Sequence, residues 1–428
     1  MQINFNNLFL QLIKLNSYIN TKMKINYTPN FFQEGKKIKR ILIVCAGATL
    51  LFSSCAVNKL DNQIDLTLNR GAAQYNYMIK KLSEGKYPKT YFADKDKFIT
   101  SKSDWWCSGF YPGTLIYLDE ASKTEVFKNE INRVLQDLKR EQFNTTTHDL
   151  GFMMFCSFGN ANRLNPSPEY AAILMNSAKS LASRFNETVG CIKSWDSKDD
   201  SYLVIIDNMM NLELLFWASE YSGDKKYYDI AVKHANTTLK NHFRADHSSY
   251  HVVNYNSITG DVKLKRTAQG YADESAWSRG QSWGLYGYTV MYRATKDKKY
   301  LDQAVAIAEF ILNHPNLPKD KVPYWDFNAP NIPDALRDSS AGAVIASALL
   351  ELKNYVDKDS SKKYCKVAKT IITTLTSNEY FAKEGTNGGF LLKHGVGHIP
   401  EKSEIDVPLT YGDYYFVEAL LRYKKQLR

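Results

Sequence analysis

From residue 63 onward, apolar positions recur every three to four residues. That period predicts helices near 63–83, 109–121, 123–140, 149–162, 167–186, 208–221, 225–242, 279–295, 298–313, 339–355, 360–376 and 410–424. Strict alternation is rare. Residues 250–255 and 262–266, either side of Ser257–Asp261, predict a single hairpin. One helical segment repeats: DKKYYDIAVKHA begins at Asp224 and DKKYLDQAVAIA at Asp297. In each copy the Asp suits a helix N-cap, and the aromatic and Ala-Val positions supply a buried stripe. Weaker echoes occur in SKTEVFKNEI and SSKKYCKVAKTI. Repeated helix pairs predict an all-α fold, an (α/α)6 barrel of inner and outer helices with a small β-hairpin in a loop. An open helical solenoid is the alternative. Most polar signatures fall just before the helices read as inner, as a pocket at one mouth requires. No linker rich in Pro, Gly or Ser divides the chain, so 55–428 is expected to be one catalytic domain behind an extension at 1–54.

The stretch Tyr202–Tyr221, YLVIIDNMMNLELLFWASEY, is strongly apolar yet contains Asp207. An unpaired charge is costly to bury, so this carboxylate must be bonded, paired or neutralised. As the N-cap of the helix that follows, it would contribute about 1 kcal/mol. As a general acid or base with a raised pKa, it would contribute about 10²–10⁴ in rate. The stretch alone favours the cap, and the rest of the chain reverses that preference.

Charge changes the picture at one end only. The net charge is +10, but residues 1–54 hold seven Lys/Arg against Glu34, which leaves only +4 for the remainder. No basic stripe interleaved with aromatics is present, so no nucleic-acid partner is expected. Lys36, Lys37, Lys39 and Arg40 precede the short apolar run Ile41–Phe52 and then Ser53-Ser54-Cys55. The run is too short to span a bilayer but fits a signal-peptide core. Ending on small residues and a Cys, it resembles a bacterial lipoprotein signal. The resemblance implies cleavage before Cys55, lipidation of that Cys, and attachment in the periplasm or at the outer membrane through the lipid alone. The other cysteines of the mature chain, at 107, 156, 191 and 365, are far apart and form no C-x-x-C. His247/His251 and His394/His398 are each four apart. The first pair lacks an intervening Glu and the second encloses two glycines, so neither makes a zincin signature, and no metal or other cofactor is expected.

Candidate chemistry gathers at helix starts. Asp149 lies in Thr145–Phe152, TTTHDLGF, where capping by Thr147 or Asp149 is the competing reading. Trp106 lies in DWWCSGFYPG, and Tyr250-His251 follows Asp207. The densest signature is TAQGYADESAWSRGQSWG, from Thr267 to Gly284. Arg279 and Trp283 are four apart and share a helix face. A guanidinium beside an indole can fork onto a carboxylate while the ring stacks on a sugar. Gly280 and Gly284 suit close helix approach, and the Tyr and Trp content suits either a sugar cleft or core packing.

At these residues the chain resembles the unsaturated glucuronyl hydrolases, glycoside hydrolase family 88. WCSGFYPG, THDLGF, IIDNMMNL, QGYADESAWSRGQSWG and HGVGHIPEKSEIDVPLTYGDYYFVEAL match that family's blocks in order across most of the mature chain. The resemblance implies removal of a 4,5-unsaturated uronic acid from the non-reducing end of lyase-generated, glycosaminoglycan-type oligosaccharides. It implies that Asp207 protonates C4 and then, as carboxylate, activates the water that adds at C5. Asp149 is implied as the partner carboxylate. His251, Thr267, Gln269 and Arg279 are implied in binding the uronate region, Trp283 and Trp106 as apolar walls, and His148 as a flank of the pocket. Trp195 is placed less firmly at the aglycone side. The serine- and lysine-bearing sulfate segment of some members is not evident in HGVGHIPEKSEID. The rivals are an unsaturated rhamnogalacturonyl hydrolase, another enzyme such as an epimerase on the same toroid, and a non-catalytic glycan-binding lipoprotein.

Overall fold

The computed structural model describes residues 60–197 and 199–426. The leader and Cys55 lie outside the described residues. From Asn62 onward the chain folds as one compact unit.

Six helices carry one buried stripe each: α1 (residues 60–79), α3 (Lys128–Leu138), α5 (Pro168–Ala182), α7 (Lys225–Asn241), α9 (Lys298–Asn313) and α11 (Lys358–Leu375). Six alternate with them: α2 (Phe110–Ser122), α4 (a π-type segment Gly151–Gly159 continued by Asn160–Leu164), α6 (Leu212–Ser222, led in by the 3-10 turns Ile206–Asn211), α8 (Ser278–Thr295), α10 (Ser339–Leu352) and α12 (Thr410–Gln426). This second set is the inner ring. Every residue of α10 is buried, as is α8 from Ser278 to Met291. Each inner helix contacts the next, and α12 returns to α2, so the ring is a closed toroid and not an open solenoid.

The repeat is borne out at its caps. Asp224 accepts from the Lys226 N–H and Asp297 from the Lys299 N–H, and Tyr227 and Tyr300 are buried at matching positions. Strands are more numerous than the alternation predicts. β1 (Tyr87–Phe92) pairs with β2 (Lys97–Ser101), β3 (Phe185–Asn186) with β4 (Cys191–Ile192), and β8 (Gly395–His398) with β9 (Ser403–Val407). The expected hairpin, β6 (Val252–Asn256) and β7 (Val262–Arg266), gains a third strand, β5 (Ser201–Ile205), cut from the front of the apolar stretch around Asp207. Its side chains are buried on both faces near Asp207, which hides the period-two signal.

Chain direction places the site. Outer-to-inner connections are long and carry all these strands, whereas inner-to-outer turns are short, such as Gly223-Asp224 between α6 and α7. The long loops therefore collect at the N-terminal ends of the inner helices, where helix dipoles favour anionic groups.

Candidate active site

Asp207 stands in the first of the turns that lead into α6 and makes no capping hydrogen bond, so the N-cap reading is excluded. The residue is 7% exposed. Burial, with a smaller push from Asp149, raises its pKa to about 7 against the pull of Arg279. Buried Asp413 on α12 is also raised to about 7 by burial, yet it accepts from the Leu391 and Leu392 amides and the Tyr75 hydroxyl. Asp207 differs in that no protein donor comes within hydrogen-bond distance of its Oδ2, the Trp283 indole acting on the carboxyl only weakly, as the smallest of the influences on its pKa. A raised pKa alone therefore does not mark the site, whereas a raised pKa on an uncommitted carboxylate does.

Further uncommitted buried atoms belong to its neighbourhood: His251 Nε2, His148 Nε2, Trp283 Nε1 and Tyr411 OH. His251 Nε2 is 3.7 Å from Asp207 Oδ2. The other ring nitrogen, Nδ1, accepts the Ala268 and Gln269 amide N–H groups at 3.1 and 3.2 Å. That arrangement requires the proton on Nε2, and burial beside Arg279 lowers the pKa so that the ring stays neutral. His251 therefore turns an N–H towards the acid. His148 is bound the other way round. Its Nδ1 donates to the Ser194 carbonyl at 3.0 Å, and its Nε2 stands 3.2 Å from Asp149 Oδ1. Asp149 also accepts from the Thr147 hydroxyl at 3.0 Å.

A glycine brings the two carboxylate segments together. A Cβ on Gly151 would lie 2.4 Å from the Asn211 Cα, and the Phe152 amide donates to Asn211 Oδ1 at 2.9 Å. Asp149 and Asp207 are thus carried on two segments that touch backbone to backbone.

Arg279 is placed differently from its expected role. The guanidinium is 2% exposed and donates to Asp338 Oδ2 at 3.1 Å, to Gln269 Oε1 at 2.6 Å, to the Gly397 carbonyl at 2.7 Å and to the Val396 carbonyl. Trp277 and Tyr411 flank it at 4.5 and 5.2 Å. It ties the β8–β9 hairpin and the Gln269 loop to α8. Gln269 is in the mouth loop, with its amide oxygen taken by Arg279. The Thr267 hydroxyl accepts the Gly270 N–H at 2.7 Å and shapes the same loop. Trp283 is fully buried against Phe152, Tyr415 and Tyr411, and half-buried Trp106 packs on Phe110, Phe152 and Tyr411. Gly280 sits under the ring of Trp277, the N-cap residue of its own helix, where a Cβ would come within 2.6 Å, and Gly284 meets nothing nearer than 3.4 Å, so these glycines do not mark a close approach of two helices.

Sequence reasoning missed Asp338 and Tyr411. Asp338 caps α10, accepting from the Ser340 amide and hydroxyl, and its D-S-S-A pattern signals only that. Tyr411 lies within the block TYGDYY but is one aromatic among several. Of the paired histidines, His394 bonds Asp406 and His398 bonds the Ala268 carbonyl, and no group of three or more His, Cys, Asp or Glu with metal-ligating geometry occurs among the described residues.

A cavity of about 500 Å³ opens on the opposite face of the ring, lined by Met210, Glu213, Tyr286, Arg293, Glu418 and Arg422. Its acids are committed: Glu213 to Arg293, and Glu418 to Tyr117, Tyr286 and Arg422. The uncommitted groups are at the other mouth.

No family model matches the chain. It is 48% identical over 320 residues to the unsaturated glucuronyl hydrolase of Formosa agariphila, covering 74% of this chain and 79% of that one. The fold matches an unsaturated glucuronyl hydrolase specific for heparin with a TM-score of 0.83 at 45% identity, covering 86% of this chain and 98% of that one. It also matches an Asp-to-Asn variant of the Streptococcus agalactiae enzyme complexed with dGlcA-GalNAc6S. There the TM-score is 0.74 at 29% identity, covering 85% of this chain and 92% of that one.

Proposed function

The chain belongs to the unsaturated glucuronyl hydrolases, and on that premise we propose that Asp207 hydrates the C4=C5 vinyl ether of an unsaturated uronic acid at the non-reducing end of glycosaminoglycan-derived oligosaccharides. The protein is a glycosidase. The observation that carries the assignment of the acid is Asp207 Oδ2, a buried carboxylate oxygen with no protein partner and a pKa of about 7.

A carboxyl with that pKa is substantially protonated near neutral pH, so it can deliver a proton to C4. Positive charge then develops at C5 and the ring oxygen. The resulting carboxylate takes a proton from water as the hydroxyl adds to C5. The product is a hemiketal. It opens to a C5 ketone, the former ring oxygen becomes the hydroxyl of a C1 hemiacetal, and the hemiacetal expels the aglycone. One water is consumed and Asp207 regains its proton. His251 Nε2–H faces Asp207 and stabilises the carboxylate formed midway. Asp149, held by Thr147 and next to His148, orients water and substrate and keeps the Asp207 proton available through like charge. Because no displacement occurs at the anomeric carbon, the carboxylate spacing of retaining and inverting enzymes does not apply.

The test is loss of the ultraviolet absorbance of the double bond in unsaturated disaccharides, run beside Asp207→Asn. Loss with the wild type alone supports the reading. A wild type that binds the sugar without turnover points to the glycan-binding rival.

The leader reading extends this to location. Lys36–Arg40, Ile41–Phe52 and Cys55 support a lipid-anchored enzyme at the periplasm or outer membrane. Labelling of the expressed chain by radioactive palmitate, lost in Cys55→Ala, tests it.

A further inference from the structure

Two guanidiniums at the mouth stand in opposite states. Every hydrogen bond of the Arg279 guanidinium goes to one of the protein's own acceptors. Arg266 is half-buried and donates only from Nη1 to the Thr267 carbonyl at 3.3 Å, and no carboxylate among the described residues pairs with it.

Strand register says where Arg266 points. Directly opposed residues of neighbouring strands share a face. Ile205, Val252 and Arg266 form one such row across β5, β6 and β7, and Leu203, Asn254 and Leu264 form the next, extended past Leu203 by Trp195. The opposite face, with Tyr202, Val204, Val253 and Tyr255, packs on Val189 and Cys191 in the core. Arg266 and Trp195 therefore share the face turned away from that core. The face is buried at Ile205 and Val252, where the chain passes directly into Ile206 and Asp207. It opens outward through half-buried Leu203 and Trp195 to exposed Leu264. His251 joins the two regions: its ring is 5.9 Å from Trp195, and the Arg266 charge reaches it.

The reacting carbons must lie at Asp207 Oδ2. The uronate carboxylate, borne on C5, stays there with them. Arg266 is on the third strand of its row, two strand spacings or roughly 10 Å from Ile205. The next sugar can extend along the open face, where exposure rises from Ile205 and Val252 to Leu264. Indole and aliphatic surface there suit a sugar ring, and an uncommitted guanidinium suits a forked oxyanion.

We propose that Arg266, on the same sheet face as the Trp195 of the aglycone side, selects for a sulfate on the leaving sugar. The proposal rests on the hydrolase reading above and deepens it. Arg266 is a specificity residue, apart from the proton-transfer groups.

The experiment compares kcat/KM on two unsaturated disaccharides that differ only by a sulfate on the second sugar, for wild type, Arg266→Gln and Arg266→Lys. Charge-assisted bonds of this kind predict that R266Q loses at least about tenfold on the sulfated substrate, mainly through KM, and less than about twofold on the other. Arg266→Lys, which keeps the charge and loses the fork, should fall between. Equal losses on both substrates would overturn the proposal, since the guanidinium would then serve the shared uronate or the loop. No loss on the sulfated substrate would overturn it too, as would a wild type that turns over only the unsulfated one. Failure of the hydrolase reading shows separately, as wild-type turnover of neither disaccharide, and takes this assignment with it.

Discussion

His251 and Asp207 face each other across 3.7 Å with their roles set by the backbone: two amides occupy His251 Nδ1, so Nε2 carries the proton that faces the carboxylate. A neutral donor beside the acid can stabilise its conjugate base without supplying a full charge, which would depress the pKa that proton delivery needs. His251→Ala should lower kcat/KM by more than about tenfold. It also leaves the Ala268 and Gln269 amides without their acceptor, so stability should fall by about 1–3 kcal/mol. Steady-state kinetics and urea unfolding of the same preparation separate the two effects.

Asp207→Asn should reduce kcat by at least about a hundredfold while the fold persists. Its stability signature has a definite sign. The folded pKa of Asp207 is raised from 3.8 to about 7, so its contribution is fully present below pH 3.8 and is lost as pH rises towards 7. The variant has no such loss. Its stability relative to wild type should therefore improve between pH 4 and 7, by a few kcal/mol at roughly 1.4 kcal/mol per unit. Urea unfolding at both ends of that window decides it. A variant that unfolds at every pH would restore a structural role for Asp207.

In the proposed mechanism the proton on Asp207 must be present for C4 to receive it. The kcat/KM profile should decline as pH rises above about 7. Asp149 is among the groups that raise this pKa, so Asp149→Asn should move the decline to lower pH as well as lower the plateau. A decline that stays put would show that the two carboxylates do not communicate.

Gly151→Ala probes the contact that joins the carboxylate segments. The new methyl would meet the Asn211 Cα at 2.4 Å, a backbone atom that cannot rotate away. Overpacking of this kind costs about 1–3 kcal/mol. Because the displaced segments carry Asp149 and Asp207, kcat should fall by more than about tenfold even where the protein stays folded. Circular dichroism melts together with the absorbance assay check both.

Arg279→Met should act mainly through structure. It removes the partner of Asp338, which is 0% exposed, and leaves an uncompensated buried carboxylate, a change that costs about 3–5 kcal/mol. Thermal melts should show a large loss. A variant as stable as wild type but inactive would return Arg279 to direct substrate binding.

The sequence by itself determined what depends on local chemistry. Helix period, the Asp224 and Asp297 caps and the repeat they open specify a ring of paired helices, because capping and amphipathicity act within a few residues. The oddity of Asp207 is equally visible, since a carboxylate among Ile and Met stands out in any window. Tertiary structure alone decided what each polar group is bonded to. Arg279 looks free in SRGQSW until Asp338, Val396 and Gly397 close on it, from 59 to 118 residues away. Arg266 looks like part of a basic run, KLKR, until strand pairing sets it on the open face without a partner. Asp413 has the same raised pKa as Asp207 and is excluded only by its three donors. Commitment of a hydrogen-bonding group depends on atoms brought in by the fold from distant segments. No local pattern records them, so the residues could be nominated from the sequence while their bonding partners were decided only by packing.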